Sequence, residues 1–348
     1  MKGFGLVFSG GGGKGAYEIG VWKYLYEVGL DNYVKAVSGT SVGALNAALF
    51  TGASYEQAEN MWLGINQSKI LSPKKISSED IAKWLINNGL NIASAVTMGV
   101  SKAASAGILT VSKIAQMVLT KTKGDYLFSR EGLSEMIKSS INMDMLQNNE
   151  IPCFVTCVNC QGLKTERFKL NDHTSDEIMS LLLATSAIPI VFPNEVFNGK
   201  KYCDGGIPII GDNTPIQPVY DTGVENIIVV HLNREMVIDK TKFPNANIIE
   251  IVPSIDLGSA INGTLDFSSA GAEQRISAGY EDAKKILQPM LEMLFMFLQN
   301  QVSLNHLRES MAQFDLSRER LLIKEAEIRK DIANDNFDSI YSKLIKEE

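Results

Sequence analysis

The chain has 348 residues, 45% of them hydrophobic and 21% charged, so it can build one large domain or two ordinary ones around a substantial core. Its net charge of −7 argues against a general nucleic-acid binder. The first apolar run is too short for a secretory signal peptide, and no apolar stretch has the length of a membrane-spanning helix. We therefore expect a cytoplasmic protein.

A glycine-rich loop follows the first predicted strand and opens the first predicted helix. Phe4–Phe8 is a short apolar run typical of a buried strand, Gly10 to Gly15 form the loop, and helical spacing begins after it. Dinucleotide binding, triphosphate binding and an oxyanion hole are three uses of such a loop. A dinucleotide fingerprint needs an acidic residue about 20 positions on, and a Walker A loop needs Ser or Thr after Lys14. This chain has neither, which favours the oxyanion hole.

The next strand leads into Gly39-Thr40-Ser41-Val42-Gly43, which has the G-x-S-x-G form of a nucleophile elbow. An apolar run precedes it, and a helix of small residues over 42–51 is predicted after it. The two glycines permit the sharp turn that exposes a serine hydroxyl at the sheet edge. Parallel strands end at the same edge, so Ser41 should lie beside the glycine loop. The competing interpretation is that Ser41 only caps the helix.

Strand and helix patterns alternate along the rest of the first 286 residues. This alternation predicts a three-layer α/β/α sandwich. Helices are predicted over 54–64, 129–140, 175–184 (with Ser175 as its cap) and 266–287, and strands over 151–158, 165–170, 226–232 and 247–252.

Two stretches stand apart from this pattern. Within a helical insert at 65–128, residues 81–124 contain no Asp or Glu but five lysines among many apolar residues. A lid, a surface facing an anionic membrane and a pair of core helices remain open for this insert. The extension over 287–348 begins with the apolar run Met290–Leu298 and continues with heptad-like spacing. It predicts a helix that packs on the domain or forms a seam between subunits.

A serine nucleophile needs a base, and the three histidines (His173, His231 and His306) have no supporting motif. Asp204, which ends a short run before Gly205 and Gly206, can take the serine proton instead. Its competing interpretation is an ordinary Asp-Gly turn. The four cysteines are expected to be buried and reduced. They lack the paired C-x-x-C spacing of a zinc site, so neither a metal nor a cofactor is expected.

Taken together, the motifs resemble the patatin-like phospholipase family from about residue 3 to residue 255. The matching blocks are Gly10 to Gly15, Gly39 to Gly43, Ala184 to Pro189 with Phe192-Pro193, Asp204-Gly205-Gly206 and Asn213-Thr214-Pro215. The resemblance implies a Ser–Asp dyad of Ser41 and Asp204 without a histidine. It also implies an oxyanion hole in the loop Gly10, Gly11, Gly12 and Gly13, with Gly11 and Gly12 as the principal donors.

The same resemblance implies hydrolysis of acyl esters in membrane glycerophospholipids, at the inner face of the membrane. Gly39, Gly43 and Gly205 support the site, and Lys14 either attracts a phosphate head group or is solvated at the helix start. Some bacterial relatives are effectors of cyclic-nucleotide anti-phage signalling, which suggests a cyclic dinucleotide as activator. The alternatives are a constitutive lysophospholipase or esterase and a non-catalytic nucleotide-binding or scaffold module. The C-terminal helices suggest a homo-oligomer.

Overall fold

The computed structural model describes residues 3–65, 70–71, 128–189, 191–258, 263–334, 338–339 and 341–342. Within these residues, eight strands form one sheet in the order β5-β6-β3-β2-β1-β7-β8, with β4 paired to β3 off this path. The strands are β1 Phe4–Phe8, β2 Val34–Thr40, β3 Cys153–Asn159, β4 Lys164–Lys169, β5 Glu195–Phe197, β6 Lys200–Asp204, β7 Asn226–Val230 and β8 Asn247–Ile251.

The sheet is parallel in its centre and antiparallel at one side. The pairs β1–β2, β2–β3, β1–β7 and β7–β8 run parallel, whereas β4 and β6 run antiparallel to β3, and β5 antiparallel to β6. Every residue of β1 is buried, as expected for a parallel strand covered on both faces. The β4 residues are exposed or half-buried, as its alternating sequence predicted.

Helices flank the sheet on both faces. The helices of the described residues are α1 Ala16–Glu27, α2 Val42–Gly52, α3 Tyr55–Leu63, α4 Glu131–Ser140, α5 Met143–Asn148, α6 Ser175–Thr185, α7 Gln217–Tyr220 and α8 Ser269–Ala333, and only the part of α8 before Leu287 belongs to the same unit as the sheet. One face of the sheet packs Val7, Ala36 and Ile227 against Val219 of α7. All eleven residues of α2 are buried. The predicted three-layer α/β/α fold is confirmed.

Most predicted elements lie within a few residues of their expected positions, but the helix predicted over 266–287 continues as α8 to Ala333. Thr174, rather than Ser175, caps α6: its side chain accepts the Glu177 N–H and the Glu177 carboxylate accepts the Thr174 N–H. The sequence pattern did not predict α5, α7 or β5, and it gave β6 only as a short run before Gly205. The lysine-rich insert at 65–128 falls outside the described residues apart from its ends.

Contacts divide the chain into two units, Met1–Ile286 and Leu287–Glu348. The second unit carries the C-terminal part of α8, in which many apolar side chains are exposed. In Met290–Leu298 these include Met293 at 72%, Phe295 at 61% and Met296 at 64% exposure. Across the described ranges, no helix combines the length and apolar character needed to cross a bilayer.

Candidate active site

Ser41 lies in a strained turn between β2 and α2. Its backbone has φ 55° and ψ −125°, a conformation that non-glycine residues rarely adopt and that costs on the order of 1–3 kcal/mol. Its side chain makes no capping hydrogen bond to α2, although its carbonyl accepts the first helical N–H groups. The structure therefore does not support the interpretation of Ser41 as a helix cap. The turn has the geometry of a nucleophile elbow.

Gly39 and Gly43 make the sharpness of this turn possible. A Cβ atom on Gly39 would overlap the carbonyl oxygen of Gly43, and one on Gly43 would overlap the carbonyl oxygen of Phe8. The backbone of the elbow thus passes directly against itself and against the end of β1. Any larger side chain at either position would push Ser41 out of place.

The register of β3 brings Asp204 to Ser41. Thr40, the last residue of β2, pairs with Thr156, and Asp204, the last residue of β6, pairs with the next β3 residue, Cys157. Because β2 runs parallel to β3 and β6 runs antiparallel to it, the carboxyl ends of β2 and β6 meet head-on along one edge of β3. The serine that follows Thr40 and the carboxylate of Asp204 are thereby placed side by side.

Burial gives the Asp204 carboxylate an unusual proton affinity. Asp204 is 5% exposed, and burial raises its pKa from the ordinary value of 3.8 to about 6, against hydrogen bonding by Ser41 and the Gly206 N–H. The Gly206 N–H donates to Oδ1 at 2.7 Å. The Ser41 hydroxyl is near enough to influence the pKa, yet Oδ2 has no hydrogen bond of good geometry. Such contacts are often loose in a ligand-free site.

The last residue of α6 and the segment that follows it hold both residues in place, a role that the sequence pattern did not reveal. The Thr185 hydroxyl accepts the Ser41 N–H at 2.9 Å and donates to the Thr156 carbonyl at 2.6 Å. The Ala187 carbonyl accepts the Asp204 N–H at 3.0 Å. Thr185 and Ala187 belong to the block Ala184 to Pro189, which the sequence pattern singled out without indicating what these residues do.

The glycine loop lies beside the elbow, and its four glycines differ in what their N–H groups do. The Gly10 N–H already donates to the Asn213 carbonyl at 3.0 Å, and the Asn213 side chain donates back to the Gly10 carbonyl at 3.1 Å. The Gly10 N–H is therefore already paired in this structure, and the two hydrogen bonds with Asn213 fix this end of the loop. Gly12 has φ +59°, and the N–H groups of Gly11, Gly12 and Gly13 are the other main-chain donors of this loop before Lys14.

A segment before α8 packs on the outer side of this loop. A Cβ atom on Gly12 would overlap the Thr264 carbonyl, and one on Gly13 would overlap that of Asp266. The buried Arg275 side chain (5% exposed) connects the glycine loop to this segment. It donates to the Gly13 carbonyl at 3.3 Å and to the Asp266 carboxylate at 2.7 Å. Burial lowers the pKa of Lys14, which follows Gly13 in the loop, although the negative charge of Asp256 acts in the opposite direction.

The described contacts of the histidines lie elsewhere. His231 is fully buried and its Nε2 lies 3.0 Å from Oε2 of Glu250, while burial lowers its pKa. His173 Nδ1 lies 3.5 Å from Glu177, and His306 lies in the second unit beside Glu309. Among the residues with described positions, no cluster of His, Cys, Asp and Glu side chains could hold a metal ion.

Several solved structures resemble this chain in part, although they share little sequence with it. VipD from Legionella pneumophila is 15% identical, with a TM-score of 0.46 over 83% of this chain and 67% of VipD. The type III effector ExoU is 15% identical, with a TM-score of 0.42 over 83% of this chain and 53% of its own. ExoU of Pseudomonas aeruginosa, solved with SpcU, is 19% identical, with a TM-score of 0.32 over 82% of this chain and 53% of its own. This chain thus spans only about half of ExoU.

No curated protein sequence matches the chain significantly. The model of one protein family, described as patatin-like phospholipase, matches residues 6–220. This match contains the glycine loop, the Ser41 elbow, the Thr185 brace and Asp204, and it covers more than half of the chain. The chain therefore belongs to the patatin-like phospholipase family of lipid acyl hydrolases.

Proposed function

We propose that this protein hydrolyses fatty acyl esters of membrane glycerophospholipids with Ser41 as nucleophile and Asp204 as general base. The observation that carries the proposal is the strained Ser41 backbone facing a buried carboxylate with a raised pKa. A serine that only caps a helix does not require a strained backbone with φ 55°, and an aspartate that only forms a turn does not require a buried carboxylate. The two features coincide at the point where β2 and β6 meet on β3.

In the first half of the reaction, Ser41 Oγ attacks the ester carbonyl while Asp204 accepts its proton. The N–H groups of Gly11 and Gly12, with Gly13 beside them, hold the oxygen that becomes negative. Asp204 then returns the proton to the departing alcohol of the lysolipid. This leaves the fatty acyl group on Ser41.

In the second half, water replaces the alcohol. Asp204 takes a proton from the attacking water, the same glycine donors stabilise the second tetrahedral intermediate, and Ser41 Oγ leaves with the proton from Asp204. The fatty acid is released and the site returns to its starting state. A pKa of about 6 suits this work, because the carboxylate is ionised at neutral pH yet is a stronger base than an exposed aspartate.

Exposed apolar residues within the second unit support a membrane as the location of the substrate. Six consecutive residues from Met293 to Leu298 are apolar and exposed, and together they surround the α8 helix. A two-stranded seam needs apolar residues on one side only, so this run suits a lipid surface better than a coiled coil. The spaced residues Leu304, Leu307, Met311 and Phe314 beyond it suit association with a second copy.

The decisive experiment measures fatty acid release from phospholipid vesicles by the wild type, Ser41→Ala and Asp204→Asn. Ser139→Ala is the matched control, because Ser139 is exposed on α4 and its described side-chain hydrogen bond is to the nearby Met136 carbonyl. We expect release by the wild type and the control and none by the other two variants. Release by Ser41→Ala, or none by the wild type under any condition, would refute the proposal.

The same assay, run with and without cyclic dinucleotides, tests whether a nucleotide activates the enzyme. Activation would support the signalling role that the sequence resemblance suggests. Equal rates in all samples would identify a constitutive phospholipase or lysophospholipase instead. Nucleotide binding without hydrolysis, unaffected by Ser41→Ala, would favour the non-catalytic module.

A further inference from the structure

Two cysteines distant in sequence lie together beside the candidate base. The Sγ atoms of Cys160 and Cys203 are 3.0 Å apart. Cys160 follows the last residue of β3, its N–H donates to the Lys201 carbonyl at 2.8 Å, and Cys203 pairs with Val158. The two side chains are therefore diagonal neighbours on one face of an antiparallel pair of strands. Cys203 directly precedes Asp204 in β6.

The two thiols differ in exposure and in acidity. Cys160 is half-buried, whereas Cys203 is fully buried in a small apolar cluster with Val158, Ala187 and Ile207. The hydrogen bond with Cys203 and the charge of Lys201 lower the pKa of Cys160 despite partial burial. The same hydrogen bond and burial raise the pKa of Cys203. Cys160 is thus the more acidic of the two thiols and is accessible to solvent, whereas Cys203 is buried beside it and stays protonated.

We propose that Cys160 and Cys203 form a site of reversible oxidation, at which a hydroperoxide produces a disulfide next to Asp204. An S–S bond is about 2.05 Å long, so the sulfurs need to approach by roughly one ångström. Intracellular disulfides are uncommon and are usually transient and redox-sensing. The other two cysteines, Cys153 and Cys157, are fully buried and have raised pKa values, which makes them poor reactants.

The chemistry needs two steps and one oxidant. The Cys160 thiolate attacks one oxygen of the hydroperoxide, the O–O bond breaks, and a sulfenic acid forms with release of hydroxide or alkoxide. The Cys203 sulfur then attacks the sulfenic sulfur. Its proton leaves with the departing hydroxide as water, and the disulfide remains. The peroxide is reduced by two electrons, and the two thiols supply them.

Bond formation should disturb the candidate site through the backbone. Cys203 packs against Ala187, whose carbonyl accepts the Asp204 N–H. Drawing Cys203 towards Cys160 strains that hydrogen bond and moves the carboxylate relative to Ser41. Displacements of this size at a reacting group lower rates by on the order of tenfold to hundredfold. This consequence rests on the proposed function, whereas formation of the disulfide does not.

The test treats the reduced full-length chain with hydrogen peroxide, then denatures it, alkylates free thiols and maps the peptides by mass spectrometry. We expect the free thiols to fall from four to two, with the peptides containing Cys160 and Cys203 linked and separated again by dithiothreitol. Cys203→Ser should leave Cys160 as a sulfenic acid that dimedone traps. Cys160→Ser should form no link, and the matched control Cys153→Ser should form it as the wild type does.

Four free thiols after peroxide treatment, or overoxidation of Cys160 with Cys203 still free, would overturn the proposal. Phospholipid hydrolysis, measured on aliquots taken before denaturation and alkylation, should fall with the thiol count and recover with dithiothreitol. Full activity of the oxidised protein would overturn the effect on the site. If the reduced protein hydrolyses no phospholipid, the proposed function fails, while the peptide map still decides whether the disulfide forms.

Discussion

Replacing Asp204 with asparagine should abolish hydrolysis and make the fold more stable at neutral pH. The carboxylate is 5% exposed and its Oδ2 has no hydrogen bond of good geometry. An asparagine keeps Oδ1 as the acceptor of the Gly206 N–H and offers an amide to the Ser41 hydroxyl. The substitution thus removes a buried negative charge with little change of shape.

The expected gain follows from the pKa. A change from 3.8 in the unfolded chain to about 6 in the folded protein corresponds to about 3 kcal/mol. The folded state holds the proton more tightly, so the wild type loses stability as the pH rises from about 4 to about 6. Asparagine does not titrate. The difference between variant and wild type should therefore be absent near pH 4 and fully developed above about pH 7.

Chemical denaturation of both proteins at several pH values, followed by fluorescence, measures this difference. Trp22 and Trp62 are buried in the first unit and report its unfolding. A gain in free energy of unfolding that grows between pH 4 and 6 and then levels off would support the reasoning. A variant less stable than the wild type at pH 8, or a difference independent of pH, would refute it.

Other predictions concern the same site. Since the base must be ionised, kcat/KM should rise with pH through about 6, and a flat profile between pH 5 and 7 would exclude Asp204. Ser41→Gly and Ser41→Ala should both be inactive. The free energy of unfolding of the glycine variant should be higher than that of the alanine variant by on the order of 1 kcal/mol, because glycine adopts φ 55° without strain. Thr185→Val removes two buried hydrogen bonds and should cost about 1–3 kcal/mol of stability and most of kcat, whereas Thr185→Ser should retain both. Thr185→Val with wild-type kcat would show that the Ser41 N–H needs no partner.

Local signals in the sequence predicted most of the architecture. The buried strand Phe4–Phe8 and the capped helix after Ser54 follow from apolar runs and short-range hydrogen bonding, which neighbouring residues decide among themselves. The elbow glycines predicted the strained turn at Ser41 for the same reason. Ser175 was a wrong choice of cap because Thr174, one residue earlier, makes the same kind of bond.

The role of Gly10 could not be predicted locally. A glycine loop at the start of a helix offers several N–H donors, and which of them is free depends on what approaches from elsewhere in the chain. Here Asn213 occupies the Gly10 donor, while Arg275 and Asp266 hold the loop from its other side. Tertiary contacts of this kind leave no periodic pattern in the sequence.

The sequence by itself determined which residue types stand where two candidate strands end: Ser41 after β2, and Asp204 at the end of β6. Only the tertiary structure decided that these ends meet, because consecutive β3 residues, Thr156 and Cys157, pair with both. The same register brings Cys203 to Cys160. Strand pairing joins segments that are far apart in the chain, and its register depends on packing over the whole sheet.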